Sequence, residues 1–546
     1  MDATDATDRH EQHRFFRGAA VIASLTMLSR VFGLVRDAAI GAMGATHMMG
    51  AFRVAFSIPN LFRRLFGEGA VSIAFVPVFT EVSQADGWDR ARGVLANAAG
   101  LLAVLLGGIV VVGELGLLGW LLLWPGGAEQ TLLLKLTMIV LPFMFTVCLL
   151  ALGAAALNCR KHFAYPAFAP ILLNVFMIAA AFVAHACFDG ASEGGLVLLA
   201  ASVAVAGVVQ LVGVVWLLGR LGLAARPTLR PVLGPVRRIG ALTLPMLLPI
   251  SILQFSAFFD RLYIHAIAER PGATTLEVFG LCLRRPVGEG VVTWFDCANR
   301  LYQYPMGILG ISLATAIFPL FSRYAADDDV GGLRRTANRA IRWSLFMGVP
   351  SGVALFFLAE PIVAVIFRHG RFTSHDVLRT AFILRMYCLG MWAYFCNHIL
   401  LRAFFSQKDV RTPLWTACIL AGVNLMMVVT LVFTPLAGGA LGLATATTSS
   451  INTLVLTFIL RRRWGRLGLR SILASLGRIV PAACAMGGVL ALACHLLVGP
   501  VDRAGNTQAV VALLVAIPAG AAVFLGLARL LRAPELGELR ATLRKR

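Results

Sequence analysis

Charge is scarce in this 546-residue chain. Asp, Glu, Lys and Arg make up only 14% of it, against 59% hydrophobic residues, and the mean hydropathy is +0.82. So little charge excludes an ordinary soluble globular domain. Acids are scarcer than bases, 27 against 48, for a formal net charge of +21. Such a surplus can signal nucleic-acid binding, but no basic domain and no aromatic stacking module accompanies it, and no nucleic-acid partner is expected. The ten cysteines include no C-x-x-C pair and no Cys/His grouping at metal spacing. Neither a disulfide framework nor a metal site or cofactor is expected. The polar opening "MDATDATDRHEQHRFFRG" is not followed by the uninterrupted apolar core of a cleavable signal, because Arg30 interrupts it, and the first helix is expected to be retained.

What the chain has in abundance is apolar runs of about 20 residues, the length that crosses a bilayer core. About fourteen recur, near 17–43, 52–82, 93–124, 131–158, 166–187, 195–219, 239–268, 291–323, 341–367, 377–405, 413–434, 438–460, 474–498 and 508–531. They fill whole helical turns without strict alternation, which points to helices and not to barrel strands. The fold class is an all-α integral membrane protein. Arginines and lysines collect in alternate loops (Arg90 and Arg92; Arg160 and Lys161; Arg226 to Arg238; Arg334 to Arg339; Lys408 and Arg411; Arg461 to Arg466), while "GATHMMG", "PGGAEQ", "FDGASEGG" and "TPLAGG" have none. By the positive-inside rule the first set is cytoplasmic, and an even span count puts both termini there too. Anionic membrane lipids are then partners of the basic loops.

Internal echoes divide the spans. "SIAFVPVFTEVSQADGWDRARGVLANA" (72–98) resembles "ATAIFPLFSRYAADDDVGGLRRTANRA" (314–340), with Pro77 matching Pro319 and Phe79 matching Phe321. Pro59 and Pro305 correspond if one turn is inserted in the first copy. "RKHFAYPAFAPILLN" (160–174) echoes "RAFFSQKDVRTPLWTACILAGVN" (402–424), and Asp37 stands where Asp260 recurs. Two six-helix lobes related as parallel repeats follow. The organisation expected is an N-terminal tail (1–16), an N-lobe (17–222), a C-lobe (223–467), two appended helices (468–532) and a basic tail (533–546).

Intramembrane charge, at about 2.5–3.5 kcal/mol per residue at the bilayer centre, marks partners or a hydrated cavity. It is concentrated in the first pair of spans of each lobe: Arg30, Arg36 and Asp37; Arg53, Arg63, Arg64 and Glu68; Asp260 and Arg261; Arg300. Arg30 and Asp37 are seven apart and share a helix face, whereas Arg36 lies about 120° from Arg30. Arg64 precedes Glu68 by one turn, where the two can pair. Ion pairing and snorkelling account for Arg36, Asp37, Arg53 and Arg64 as readily as function does. For Arg30, Arg63 and Arg300 no carboxylate is placed to neutralise all three. That surplus points to a cationic cavity suited to a phosphate- or carboxylate-bearing ligand. Glu68 is either the partner of Arg64 or a gate acid. Asp260 is a candidate site for a coupling counter-ion.

"SRVFGLVRDAAIGA", "AFRVAFSIPNLFRRLFGEGAVSIAFVPVF", "ANRLYQYPMGILGISLATAIFPLFS", "VIFRHGRF" and "RAFFSQKDVRTP" resemble the signature segments of the MurJ (MviN) family. Its members are lipid II flippases of bacterial peptidoglycan synthesis, within the multidrug/oligosaccharidyl-lipid/polysaccharide exporter superfamily. The resemblance runs in order over essentially the whole chain. It implies fourteen helices in two lobes in the inner membrane, with the last two helices forming a groove for the polyprenyl tail. It also implies that Arg30, Arg36, Arg63 and Arg300 are cavity arginines that bind substrate, with Asn174 beside them and Asp37 and Glu68 at the family's acidic positions. The substrate implied is undecaprenyl-diphosphate-linked glycopeptide, flipped by alternating access with no catalytic residue.

The chain departs from the family pattern at Gly50, Asn299 and Gln303, where acids are common, and in a long loop at 268–290 that carries Arg284 and Arg285 on the outer side. Other readings are an exporter of another polyprenyl-linked glycan, a cation-coupled drug exporter, a membrane glycosyl- or phosphotransferase, and a cell-wall scaffold. A drug exporter calls for an acidic, aromatic-lined cavity. The transferase rests on "DDD" at 327–329, which reads as a solvated turn.

Overall fold

The computed structural model describes residues 24–67, 70–124, 126–224, 226–230, 234–278, 281–497, 499 and 505–538. The N-terminal tail, Glu68 and the end of the basic tail from 539 onward lie outside these residues. Two compact units divide the chain, residues 1–265 and 266–546.

The first unit holds nine helices among its described residues: α1 (24–42), α2 (His47–Phe62), α3 (Ala70–Ala85), α4 (Gly87–Leu123), α5 (Ala128–Val140), α6 (Pro142–Cys159), α7 (Ala164–Cys187), α8 (Glu193–Arg220) and α9 (Pro235–Ile267), which ends just past the division. Thr46 starts α2 by accepting a hydrogen bond from the Met49 amide at 3.1 Å, which satisfies one of the amides that a helix start leaves open. The core is aliphatic and aromatic, with Phe52, Phe75, Phe79 and Phe143 fully buried. The rings of Phe75 and Phe79 stack at 4.8 Å. Beyond α8 the chain returns across α4, where Thr228 donates to the Ala96 carbonyl at 3.1 Å and Asn97 donates to that of Thr228 at 3.2 Å. Gly100 permits this approach, since a Cβ there would stand 2.4 Å from the Thr228 oxygen.

The second unit holds a β-hairpin and ten helices of nine residues or more among its described residues: β1 (Thr275–Val278), β2 (Leu281–Arg284), α10 (Val291–Pro305), α11 (Ile311–Ala326), α12 (Val330–Phe357), α13 (Ala359–Phe367), α14 (Ser374–Cys388), α15 (Met391–Ser406), α16 (Arg411–Leu431), α17 (Gly439–Trp464), α18 (Leu469–Leu497) and α19 (Asn506–Leu530). The long loop at 268–290 thus contains an antiparallel pair, Thr275 opposite Arg284. The appended helices pack on this unit, α18 on α12 and on α19. Phe346 of α12 meets Phe524 of α19 at 5.3 Å. Arg368 of the "VIFRHGRF" segment and Asn506 hold each other by two hydrogen bonds, Nε to Oδ1 at 2.8 Å and Nδ2 to the Arg368 carbonyl at 2.9 Å.

Among the described residues, ten helical stretches are long and apolar enough to cross a membrane. Four further expected spans look different. The first begins among undescribed residues; the second is interrupted by a π-helical turn, Arg63–Gly67; α9 spans the seventh; and the tenth breaks at Leu389 and Gly390 between α14 and α15. Close packing requires the glycine at that break, because a Cβ on Gly390 would stand 2.7 Å from Ala446 Cα. Helix ends also reach into the basic loops: Arg90 and Arg92 lie in α4, Arg334, Arg335 and Arg339 in α12, and Arg461 to Arg463 in the last turn of α17. Arginine is a good helix former whose long stem lets its charge reach water, and at a helix C-terminus it complements the dipole.

The repeat is visible in backbone detail. A π-helical turn separates α2 from α3 at Arg63–Gly67, and another separates α10 from α11 at Met306–Gly310. Pro59 stands four residues before the first and Pro305 one before the second, which is the turn inserted in the first copy. Lys161 after α6 and Lys408 after α15 are both left-handed, at φ 60° and 58°. Each is followed by the same closing bond, His162 N to Leu157 O at 2.9 Å and Asp409 N to Phe404 O at 3.1 Å. The "DDD" stretch is a turn: Asp328 is left-handed and Asp329 caps α12 by accepting from the Gly332 amide at 2.8 Å.

Candidate functional site

Three polar side chains of the first unit meet between α1 and α7. Asp37 and Arg36 are adjacent in sequence, and the arginine side chain curls onto its neighbour. Its Nη2 and Nε donate to Asp37 Oδ1 at 2.6 and 3.1 Å. Its Nη1 donates to Asn174 Oδ1 of α7 at 2.9 Å, and Asn174 Nδ2 returns a bond to the Ser29 carbonyl at 3.3 Å. All three side chains are buried. One ion pair and one amide therefore fasten α1 to α7. Three of the five N–H donors of Arg36 are engaged, which leaves two.

Arg30 lies on the same helix, half-buried, and makes no hydrogen bond or ion pair among the described residues. Its expected face-mate Asp37 is joined to Arg36. Arg63 sits in the π-helical turn with its Nε on Asn60 Oδ1 at 3.3 Å. The exposed Arg64 reaches Gln254 Oε1 of α9 at 3.3 Å. Its expected partner Glu68 lies outside the described residues. On α9, Asp260 has one carboxylate oxygen, Oδ1, buried with no hydrogen-bond partner among the described residues, while Arg261 Nη1 donates to the Ala257 carbonyl at 2.9 Å. Arg300 is exposed on α10 of the second unit. The departures Asn299 and Gln303 bond to each other one turn apart, Nε2 to Oδ1 at 2.8 Å.

One polar group escaped the sequence reading. His47, at the start of α2, is buried and stacks on the buried His265 of α9, ring centroids 4.1 Å apart. Its Nδ1 lies 3.5 Å from Glu129 Oε2. Nothing in the spacing of residues 47, 129 and 265 signals this cluster, because three separate helix ends supply it. No group of side chains suited to a metal ion occurs among the described residues.

Outside the membrane spans, two carboxylates sit among arginines. Burial would raise Asp409, but hydrogen bonds from Thr412 and from Arg463, the latter at 2.6 Å, hold it below its ordinary value. Glu538 behaves alike. Burial opposes its ionisation, and bonds from Trp343 (2.9 Å) and Arg339 (2.7 Å), with Arg342 nearby, outweigh it. Beside it the fully buried Glu535 takes Arg342 Nη1 at 3.2 Å and the Ser475 hydroxyl.

The sequence profile described as "Lipid II flippase MurJ" matches residues 40–501. The chain is 32% identical over 464 residues to the "Lipid II flippase MurJ" of Burkholderia cenocepacia, covering 82% of this chain and 84% of that one. It is 32% identical over 416 residues to the "Probable lipid II flippase MurJ" of Vibrio cholerae, covering 73% and 74%. Among solved structures, "Lipid II flippase MurJ, inward closed conformation" superposes with a TM-score of 0.70 at 21% identity, over 94% of this chain and 98% of that one. An inward-facing MATE-family multidrug transporter of the MOP superfamily superposes at 0.63 and 16% identity, over 82% and 98%. The fold is that of these multi-pass membrane transporters, and the chain belongs to the MurJ family.

Proposed function

We propose that this protein flips lipid II, the undecaprenyl-diphosphate-linked glycopeptide, from the cytoplasmic to the outer leaflet of the inner membrane by alternating access. The relatives bear the name of lipid II flippases, which are transporters and not enzymes, and the cationic residues of this chain suit a diphosphate. Both termini are cytoplasmic in this reading, by the distribution of arginine between the loops. Arg30 and Arg63 of the first unit and Arg300 of the second bear on the diphosphate during the cycle in a cationic central cavity. Arg36 adds its two remaining donors, oriented by Asp37 and Asn174. The lipid tail stays in the bilayer along α18 and α19. A headgroup that carries negative charge outward is favoured by an inside-negative potential, at about 2.3 kcal/mol per charge per 100 mV. A counter-ion at Asp260 is the second possible source of drive.

The observation that carries the reading is Arg30, a guanidinium in an apolar helix with no ion-pair partner among the described residues. A structural arginine within an apolar span would have one. Complementation of a flippase-depleted bacterium, with outer-leaflet lipid II measured directly, tests it. Arg30→Ala should lose most flipping at unchanged melting temperature, and Arg30→Lys should keep part of it, since charge remains while the fork is lost. Full flipping by Arg30→Ala would remove Arg30 from the substrate route. Growth without restored exposure of lipid II would favour the scaffold reading.

A further inference from the structure

Arg284 and Arg285, unexpected on an outer loop, have separate fates in the second unit. Arg285 is buried and structural: its Nη1 donates to the carbonyls of Ala266 (2.9 Å) and Ala268 (2.7 Å) and its Nε to that of Thr275 (3.2 Å). It staples the hairpin to the chain entering it. Arg284, at the end of β2, is exposed and makes no hydrogen bond or ion pair among the described residues. It lines a cavity of about 490 Å³ together with Arg379, His375, Trp294, Glu269 and Phe433.

The chemistry of this cavity favours an anion. Arg379 donates through Nε to His375 Nε2 at 3.2 Å, and its two Nη groups have no partner among the described residues. The nearby acid Asp376 is already engaged. Its Oδ1 accepts from Trp294 Nε1 at 2.8 Å, and its Oδ2 from the Thr373 amide and hydroxyl at 2.7 and 2.8 Å. Glu269 is thus the one lining carboxylate set against two guanidinium forks and the buried Arg285. Residues at the starts of α10, α14 and α17 also form its wall, and the positive ends of those helix dipoles add in the same sense.

We propose that this cavity binds a phosphate group, either the headgroup of a phospholipid or free phosphate. Two guanidinium forks match phosphate oxygens, and they do so better than ammonium groups would. The volume suits a small organic ligand such as a headgroup. Exposed Phe433 lines the site, where an acyl chain would lie. None of its residues is among those proposed to meet lipid II.

The test uses the full chain, purified in detergent and stripped of lipid, with no lipid II present, so that its outcome is independent of flipping. Phosphatidylglycerol is titrated with bound lipid counted by native mass spectrometry, and inorganic phosphate is added alone and as a competitor. The R284Q/R379Q variant should bind at least roughly tenfold more weakly, the loss expected from removing charged hydrogen bonds. Its melting temperature should stay unchanged, because both side chains are exposed. If it falls, R284K/R379K, which keeps the charge without the forks, supplies the comparison and should bind more weakly than the parent. Lipid binding that phosphate cannot displace identifies the headgroup as the ligand, whereas equal loss of phosphate binding identifies the free anion. Equal affinity of the parent and both variants for both probes, or no binding of either probe by the parent, would overturn the proposal.

Discussion

Helices α1 and α9 each carry an aspartate beside an arginine, and they use the pair in opposite ways. In α1 the order is Arg36–Asp37, and the two are joined at 2.6 Å and tied to Asn174. In α9 the order is Asp260–Arg261; the arginine turns back to the Ala257 carbonyl and Asp260 keeps one buried oxygen without a hydrogen bond among the described residues. Neighbours one apart on a helix point about 100° away from each other. They join only where the longer side chain can curl back and a third group holds it, and Asn174 is that group in α1. The first aspartate is therefore a fastening and the second a reserve of unspent polarity.

The largest effect that would sharpen this contrast is Arg36→Ala. It leaves a buried carboxylate without its partner, a loss of about 3–5 kcal/mol, read as a marked fall in melting temperature in detergent. Restoration by a second change, Asp37→Asn, would confirm the fastening. Asp260→Asn should do the reverse, removing a carboxylate that has one buried oxygen without a hydrogen bond among the described residues and leaving the melting temperature equal or higher. If it melts as early as Arg36→Ala, the two aspartates are equivalent and the contrast fails.

A smaller effect concerns what the copies share. Lys161 and Lys408 hold left-handed backbones that disfavour any side chain by about 1–2 kcal/mol, an amount partly offset by the greater freedom glycine has when unfolded. Lys161→Gly and Lys408→Gly should each raise stability slightly, by about 0.5–1 kcal/mol, and by equal amounts. Unequal shifts in melting temperature would mean that the two turns are not repeats of one device.

The smallest effect is on Glu538. Its depressed ionisation means that the network with Arg339, Arg342 and Trp343 contributes fully above the unfolded value of about 4.3. The contribution is lost as pH falls below that value and through the lower folded one. The protection of 534–538 against hydrogen exchange, taken relative to the intrinsic rate at each pH, should therefore fall in mild acid, and Glu538→Gln should show that lower protection at neutral pH already. Protection in the parent that stays constant from neutrality to below pH 4 would remove the ionic part of this contact.

Helices, apolar runs and the repeat were legible because each is written locally, in hydropathy and in recurring prolines. Asn174 was legible as a repeated residue, but its partner was not, since only the packing of α1 against α7 brings Arg36 to it. Pairing by helix face joined Arg30 to Asp37 and overlooked how far an arginine can curl toward an adjacent acid. The His47–His265 stack and the hairpin at 275–284 depend on segments whose chain positions carry no shared period. The π-helical turns left no mark either, because "RRLFG" and "MGILG" share little beyond leucine and glycine.

Those two turns have a mechanical consequence. Each holds one residue more than the α-turn it replaces, so it resembles a dislocation in a row of atoms. A dislocation can glide: moving it by one residue exchanges a bond or two and leaves the rest of the row intact. Every side chain it passes swings by about 100° around the helix axis. In the first copy the passing residues include Arg63 and Arg64, so a short glide would carry charge from one side of the helix to another without unwinding it. In the second copy the same glide moves only apolar side chains.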